Sequence, residues 1–129
     1  MSPTNDSSPD SADMKQLRRQ NPSAWLELTD NQTLPLVIDA LLDSPPGREF
    51  NKKELGDHAG VSRESVRTYV DTLLKFNVVE EVPDTNPRRY RLNDEGKVTR
   101  ALFELQSALN AEGAAATQDQ RNVAPEGEE

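Results

Sequence analysis

Eleven residues between positions 52 and 91 carry most of the recognition chemistry in this sequence: Lys52, Lys53, Ser62, Arg63, Glu64, Ser65, Arg67, Thr68, Arg88, Arg89 and Arg91. Ammonium and guanidinium groups neutralise phosphate oxygens. Arginine can also pair two-pronged with guanine, glutamate can accept from cytosine, and serine or threonine adapts to any base. Bond-making chemistry lacks comparable material. Cysteine is absent, which excludes disulfides, thiolate metal sites and a cysteine nucleophile. His58 is the single histidine, too few for a His-rich zinc site, and it reads as a solvent-edge or phosphate-side residue rather than a ligand. Glu80-Glu81 and Asp94-Glu95 have no partner acid, base or metal scaffold, so they read as solvated charges or a helix-dipole pair. The expectation is a binding protein, with no catalysis, cofactor, metal or evident small-molecule effector.

The charge map points to the same stretch. The 129 residues hold 15 Lys plus Arg against 23 Asp plus Glu, a net charge of -8, which at face value argues against a nucleic-acid partner. Residues 1–47 contribute -4 and residues 92–129 contribute -5, whereas residues 48–91 carry 9 basic and 8 acidic groups, a net +1. A polyanion therefore has one place to land, the middle third. The chain is 33% hydrophobic, with 9 prolines and a mean hydropathy of -0.82, a composition that leaves part of it short of core-forming residues. Residues 1–13 are expected to be a disordered tail, residues 112–129 a disordered acidic tail, and residues 14–111 the folded domain. No apolar run is long enough to span a bilayer and no secretory pattern opens the chain, so a cytoplasmic protein without a membrane partner is expected.

The elements that must position these groups are legible from periodicity and caps. Leu34, Val37, Ile38, Leu41 and Leu42 recur at helical spacing until residues 43–47, DSPPG, stop the pattern. Upstream, residues 22–28 form a short helix starting near Pro22. Asn51 followed by Glu54 is a capping-box arrangement opening a third helix, which ends at Gly60. Ser62 caps a longer helix whose apolar stripe is Val66, Tyr69, Val70, Leu73 and Leu74, and Asn77 stands where a left-handed cap ends it. Gly56 is small where two helices must approach closely. Residues 78–82 and 88–92 read as two strands around a turn at 83–87. Asn93 can cap a last helix bearing Val98, Leu102, Leu105 and Leu109. The fold class is mainly α with a small β-hairpin.

A short helix, a glycine-containing turn and a second helix with a Ser cap make a helix-turn-helix. The stretch GVSRESVRTYVDTLL, followed by NVVEEV and RRYRL, resembles the winged helix-turn-helix transcriptional regulators of archaea and bacteria, of the broad MarR-like and ArsR-like kind. The resemblance covers about 40 residues closely and is specific for the fold rather than the target. It implies a three-helix core, a two-stranded wing and a C-terminal helix. It also implies a recognition helix over residues 62–76 in the major groove of double-stranded DNA, with the arginine-rich wing on the backbone or minor groove. At 100° per residue, Glu64 and Thr68 lie opposite the buried stripe, flanked by Ser65 and Arg67, with Arg63 to one side. Lys52 and Lys53 are placed to meet phosphates. Such regulators double their readout as symmetric pairs. A homodimer is accordingly expected through Val98, Leu102, Phe103, Leu105 and Leu109, or through the Trp25 segment. The excess of arginine over lysine, 10 to 5, with high acid and a single isoleucine, resembles proteins of salt-loving archaea. The alternative is a winged-helix protein-interaction module of the transcription or replication machinery.

Overall fold

The computed structural model describes residues 11–128, with side chains described as far as residue 118. Residues 1–10, the greater part of the expected N-terminal tail, lie outside the described residues, as does Glu129. Three helices form the core: α3 (Thr33–Leu42), α4 (Lys52–Ala59) and α5 (Arg63–Lys75). Before them come α1 (Ser11–Gln20) and α2 (Ala24–Leu28); after them come β2 (Val79–Val82), β3 (Arg89–Leu92) and α6 (Lys97–Glu128). A two-residue strand, β1 (Glu49–Phe50), precedes α4 and pairs antiparallel with β3, giving a three-stranded sheet in the order β1-β3-β2. The expected two-stranded wing is present as β2 and β3, and β1 adds a third strand beside β3. A strand of two residues has no alternation to read, and Phe50 reveals itself only by burial opposite Tyr90.

Local signals account for the helix boundaries. Ser23 caps α2 by accepting from the Leu26 amide. Asn51 and Glu54 close a reciprocal capping box on α4: the Glu54 amide donates to Asn51 Oδ1 at 2.8 Å, and the Asn51 amide donates to Glu54 Oε1 at 2.9 Å. Gly60, at φ +79°, ends α4 in the left-handed region. Ser62 caps α5 through the Ser65 amide at 3.0 Å. Asn77 then stops α5 at φ +59°: its amide donates to the Leu74 carbonyl and that of Val78 to the Leu73 carbonyl, a Schellman ending without glycine.

Leu34, Val37 and Leu41 of α3, Leu55 of α4, and Val66, Val70 and Leu73 of α5 are buried together with Phe50, Val78, Val79 and Tyr90. Burying a side chain of this size stabilises the fold by about 1.5–3 kcal/mol. The buried apolar face of α5 holds its opposite face outward.

One expectation needs correction, and the helical traces extend into the two segments assigned to the tails. Asn93 does not cap the last helix; α6 begins only at Lys97, after a turn, and the Asn93 side-chain amide instead donates to the Asn77 carbonyl at 3.1 Å. The helical trace of α1 starts at Ser11, within the segment expected to be tail, because residues 14–19 are mostly good helix formers. The trace of α6 continues past residue 111 to Glu128, running through three consecutive alanines, 114–116, of the highest helix propensity. Thr99, fully buried near the start of α6, donates from Oγ1 to the Val78 carbonyl at 3.4 Å and seats the helix on the core. From Phe103 to residue 118, every residue except Gln106 is exposed.

Candidate functional site

The N-terminus of α4, the first turn of α5 and the hairpin tip converge. Asn51, Lys52, Lys53, Arg63, Pro87 and Arg88 line a cleft of about 250 Å³. Four of the six are cations, drawn from three elements, in a chain whose net charge is -8. Arg63 makes no ion pair among the described residues. Lys53 pairs with Asp57 at 3.1 Å on the same helix face, an exposed pair that solvent screens. The Lys52 ammonium lies 5.3 Å from the centroid of the Tyr90 ring and donates to its hydroxyl at 3.2 Å, which fixes the stem of that lysine against the sheet. Arg88 approaches Glu81 at 3.5 Å and stays exposed.

Beside the cleft, α5 presents Glu64, Arg67 and Thr68 to solvent. Arg67 donates to Glu64 Oε2 at 2.7 Å, and this hydrogen bond holds the guanidinium pKa above its ordinary value. Thr68 Oγ1 donates to the Glu64 carbonyl, and Ser65 accepts from the Ser62 hydroxyl. Ser62 and Ser65 are therefore engaged in the cap itself, and the exposed groups of the face are Arg63, Glu64, Arg67 and Thr68.

The three wing arginines divide. Strand alternation puts Arg89 and Arg91 on the sheet face opposite buried Tyr90, where carboxylates surround them. Arg89 donates to Glu54 Oε1 at 2.8 Å and to the Glu49 carbonyl at 3.0 Å, with the Glu49 carboxylate 3.5 Å away. It ties β1, α4 and β3 together. Arg91 stands in register between Glu49 and Glu80 and donates to Glu80 at 2.7 Å, a bond that raises its pKa. Arg88 alone of the three lines the cleft. The sequence reading missed Glu49, Glu54 and Glu80 as partners. The Glu80–Arg91 pair follows from the hairpin register, in which Val82 faces Arg89 and Val79 faces Leu92.

Glu54 joins the cleft wall to the wing, and its pKa lies below the ordinary carboxylate value. The hydrogen bond from the Asn51 amide is the main cause, with Arg89 adding to it against a desolvation that acts the other way. A carboxylate depressed in the folded state contributes stability above its unfolded pKa of about 4.3, which is lost as falling pH protonates it. Glu54→Gln keeps the capping hydrogen bond but not the charge. Its melting temperature should therefore fall less steeply than that of wild type on acidification below about pH 4.3, as read by circular dichroism melts.

Of the expected dimer residues, Val98 and Leu102 pack partly buried against this chain's own core. Trp25 is 60% exposed, Phe103 37%, Leu105 44% and Leu109 63%, so these four remain available to another surface. His58 stacks on Phe50 with ring centroids 5.4 Å apart, its Nε2 lies 3.3 Å from Ser44 Oγ, and it does not line the cleft. Among the described residues no group of three or more His, Cys, Asp or Glu side chains could hold a metal ion. Nor is any helix among them long and apolar enough to cross a membrane.

No protein-family model matches the chain, and no curated protein matches it. Among solved structures it is similar to the crystal structure of NolR from Sinorhizobium fredii. The TM-score is 0.51 with 17% identity, over 84% of this chain and 96% of the other. At that identity the likeness establishes the fold: a winged helix-turn-helix, with α4 and α5 as the helix pair and the β2–β3 hairpin as the wing.

Proposed function

We propose that the chain is a sequence-specific, double-stranded DNA-binding transcriptional regulator that lays α5 in the major groove and the hairpin tip along the backbone. The observation that carries this reading is the convergence of Lys52, Lys53, Arg63 and Arg88 on one cleft beside the exposed face of α5. A cluster of cations from three elements flanking an exposed helix N-terminus matches phosphates on either side of a groove that the helix fills. Glu64, Arg67 and Thr68 supply base-reading groups; Arg89 and Arg91 brace the wing. Selection from a random duplex library tests the assignment. Wild type should enrich one motif, and Arg67→Ala or Thr68→Ala should change base preference within it. An unaltered motif in both variants would remove α5 as the reading element.

The exposed apolar groups of α6 support a homodimer in this reading, since one winged domain contacts few base pairs. Leu105→Asp with Leu109→Asp leaves Val98 and Leu102 on the core, so the variant should fold and run as a monomer by light scattering, against a dimeric wild type. A monomeric wild type, or a dimer that survives the change, would discard this seam.

A second reading, a protein-interaction module, is favoured by the neutralisation of Arg67, Arg89 and Arg91 within the chain. It predicts that the same selection enriches no motif.

A further inference from the structure

A second cleft, about 740 Å³, lies between α1, α2 and the C-terminal half of α5. Its size suits an organic ligand, since small-molecule sites span about 300–1,000 Å³. Its charges are sorted by wall. Lys15, Arg18 and Arg19 come from α1, and they are the only basic residues in positions 1–47. Opposite them stand Asp30, in the turn after α2, and Asp71 of α5. Between the walls, Pro22 and Leu26 contribute apolar surface. Glu27 and Lys75 also line the cleft but satisfy each other at 2.6 Å. Lys15, Arg18, Arg19, Asp30 and Asp71 make no ion pair among the described residues. No residue of α1 is buried, and its three cations line the cleft.

Complementary charges held apart across an apolar floor fit a molecule that carries both signs with an apolar body between them. We propose that this cleft binds a small amphoteric compound of the zwitterionic short-peptide class. Its carboxylate lies toward Lys15, Arg18 and Arg19, and its ammonium toward Asp30 and Asp71. A purely anionic ligand would meet the two aspartates, and a purely cationic one the three α1 cations. The site is independent of the DNA reading, and its contacts, being solvent-exposed, imply an affinity near millimolar.

The test is a ¹H–¹⁵N NMR titration of the full chain with the dipeptide leucylleucine, compared with its N-acetylated and C-amidated forms. Leucylleucine should shift amides of α1, α2 and residues 69–75, and each blocked form should bind about tenfold more weakly. Arg18→Gln with Arg19→Gln should abolish the shifts while leaving the circular dichroism spectrum unchanged, because α1 contributes nothing to the core. No shifts, equal shifts from the blocked forms, or undiminished shifts in the variant would each overturn the proposal. So would loss of duplex affinity in that variant without any peptide response, which would make the α1 cations phosphate contacts.

Discussion

Replacing Lys52, Lys53, Arg63 and Arg88 together by glutamine should weaken duplex binding about 30- to 1,000-fold, and by similar factors on matched and scrambled sequences. The magnitude follows from four solvent-accessible ion pairs with phosphate at about 0.5–1 kcal/mol each. The uniformity follows from their target, since phosphates carry no sequence information. The salt slope should flatten by about 0.9 for each phosphate that is no longer neutralised. The acidic flanks at -4 and -5 complicate the absolute slope, because their repulsion of DNA is strongest in dilute buffer. They are identical in both proteins, however, and drop out of the difference. Arg89→Gln with Arg91→Gln is the control: these side chains already face Glu49, Glu54 and Glu80, so the loss should appear in thermal stability rather than in the salt slope. Anisotropy titrations across a salt series, paired with melts, separate the two. If the Arg89 and Arg91 pair flattened the slope as much as the cleft set, the division of the wing arginines would be wrong.

That division marks the limit of what the sequence makes legible. Helix positions follow from local rules. The spacing of Val66, Val70 and Leu73 sets the buried face of α5, the Asn51–Glu54 box starts α4, and Gly60 and Asn77 each end a helix at positive φ. Each of these signals lies within a few residues of the feature it creates. The roles of the charged groups are set by contacts distant in sequence. Arg89 reads as a phosphate ligand from its neighbours in sequence, whereas its partners Glu49 and Glu54, 40 and 35 residues away, reach it only through β1 and α4. Likewise Lys52 and Arg88 share a cleft only because the wing folds back over α4. The α1–α5 cleft was not legible for the same reason: Lys15, Arg18 and Arg19 sit in a segment with little apolar content. Only the folded chain sets them opposite Asp30 and Asp71.

Gly56→Ala should destabilise the domain, although alanine is the better helix former by about 1 kcal/mol. A Cβ at Gly56 would lie 2.7 Å from the Val61 carbonyl oxygen, 3.3 Å from the Ser62 carbonyl carbon and 3.4 Å from the Arg63 amide nitrogen, all of them backbone. No side chain can swing aside to relieve that approach. The Gly56 carbonyl also accepts from both the Gly60 and Val61 amides, at 2.8 and 2.9 Å, so the turn is bound to the residue that would push it away. Opening the turn moves Ser62 and Arg63, and with them the start of α5 and one wall of the cationic cleft. Overpacking costs about 1–3 kcal/mol, and contact with unyielding backbone belongs at the upper end. After the propensity gain is subtracted, a net loss of about 1–2 kcal/mol remains, a fall in melting temperature of about 4–16 °C for a domain of this size. Gly113→Ala supplies the contrast. Its Cβ would meet nothing within 4 Å on the exposed run of α6, so the same substitution should raise the helical signal at 222 nm without lowering the melting temperature. A Gly56→Ala protein that melts at or above wild type would show that α4 and the turn do not approach as closely as these distances require.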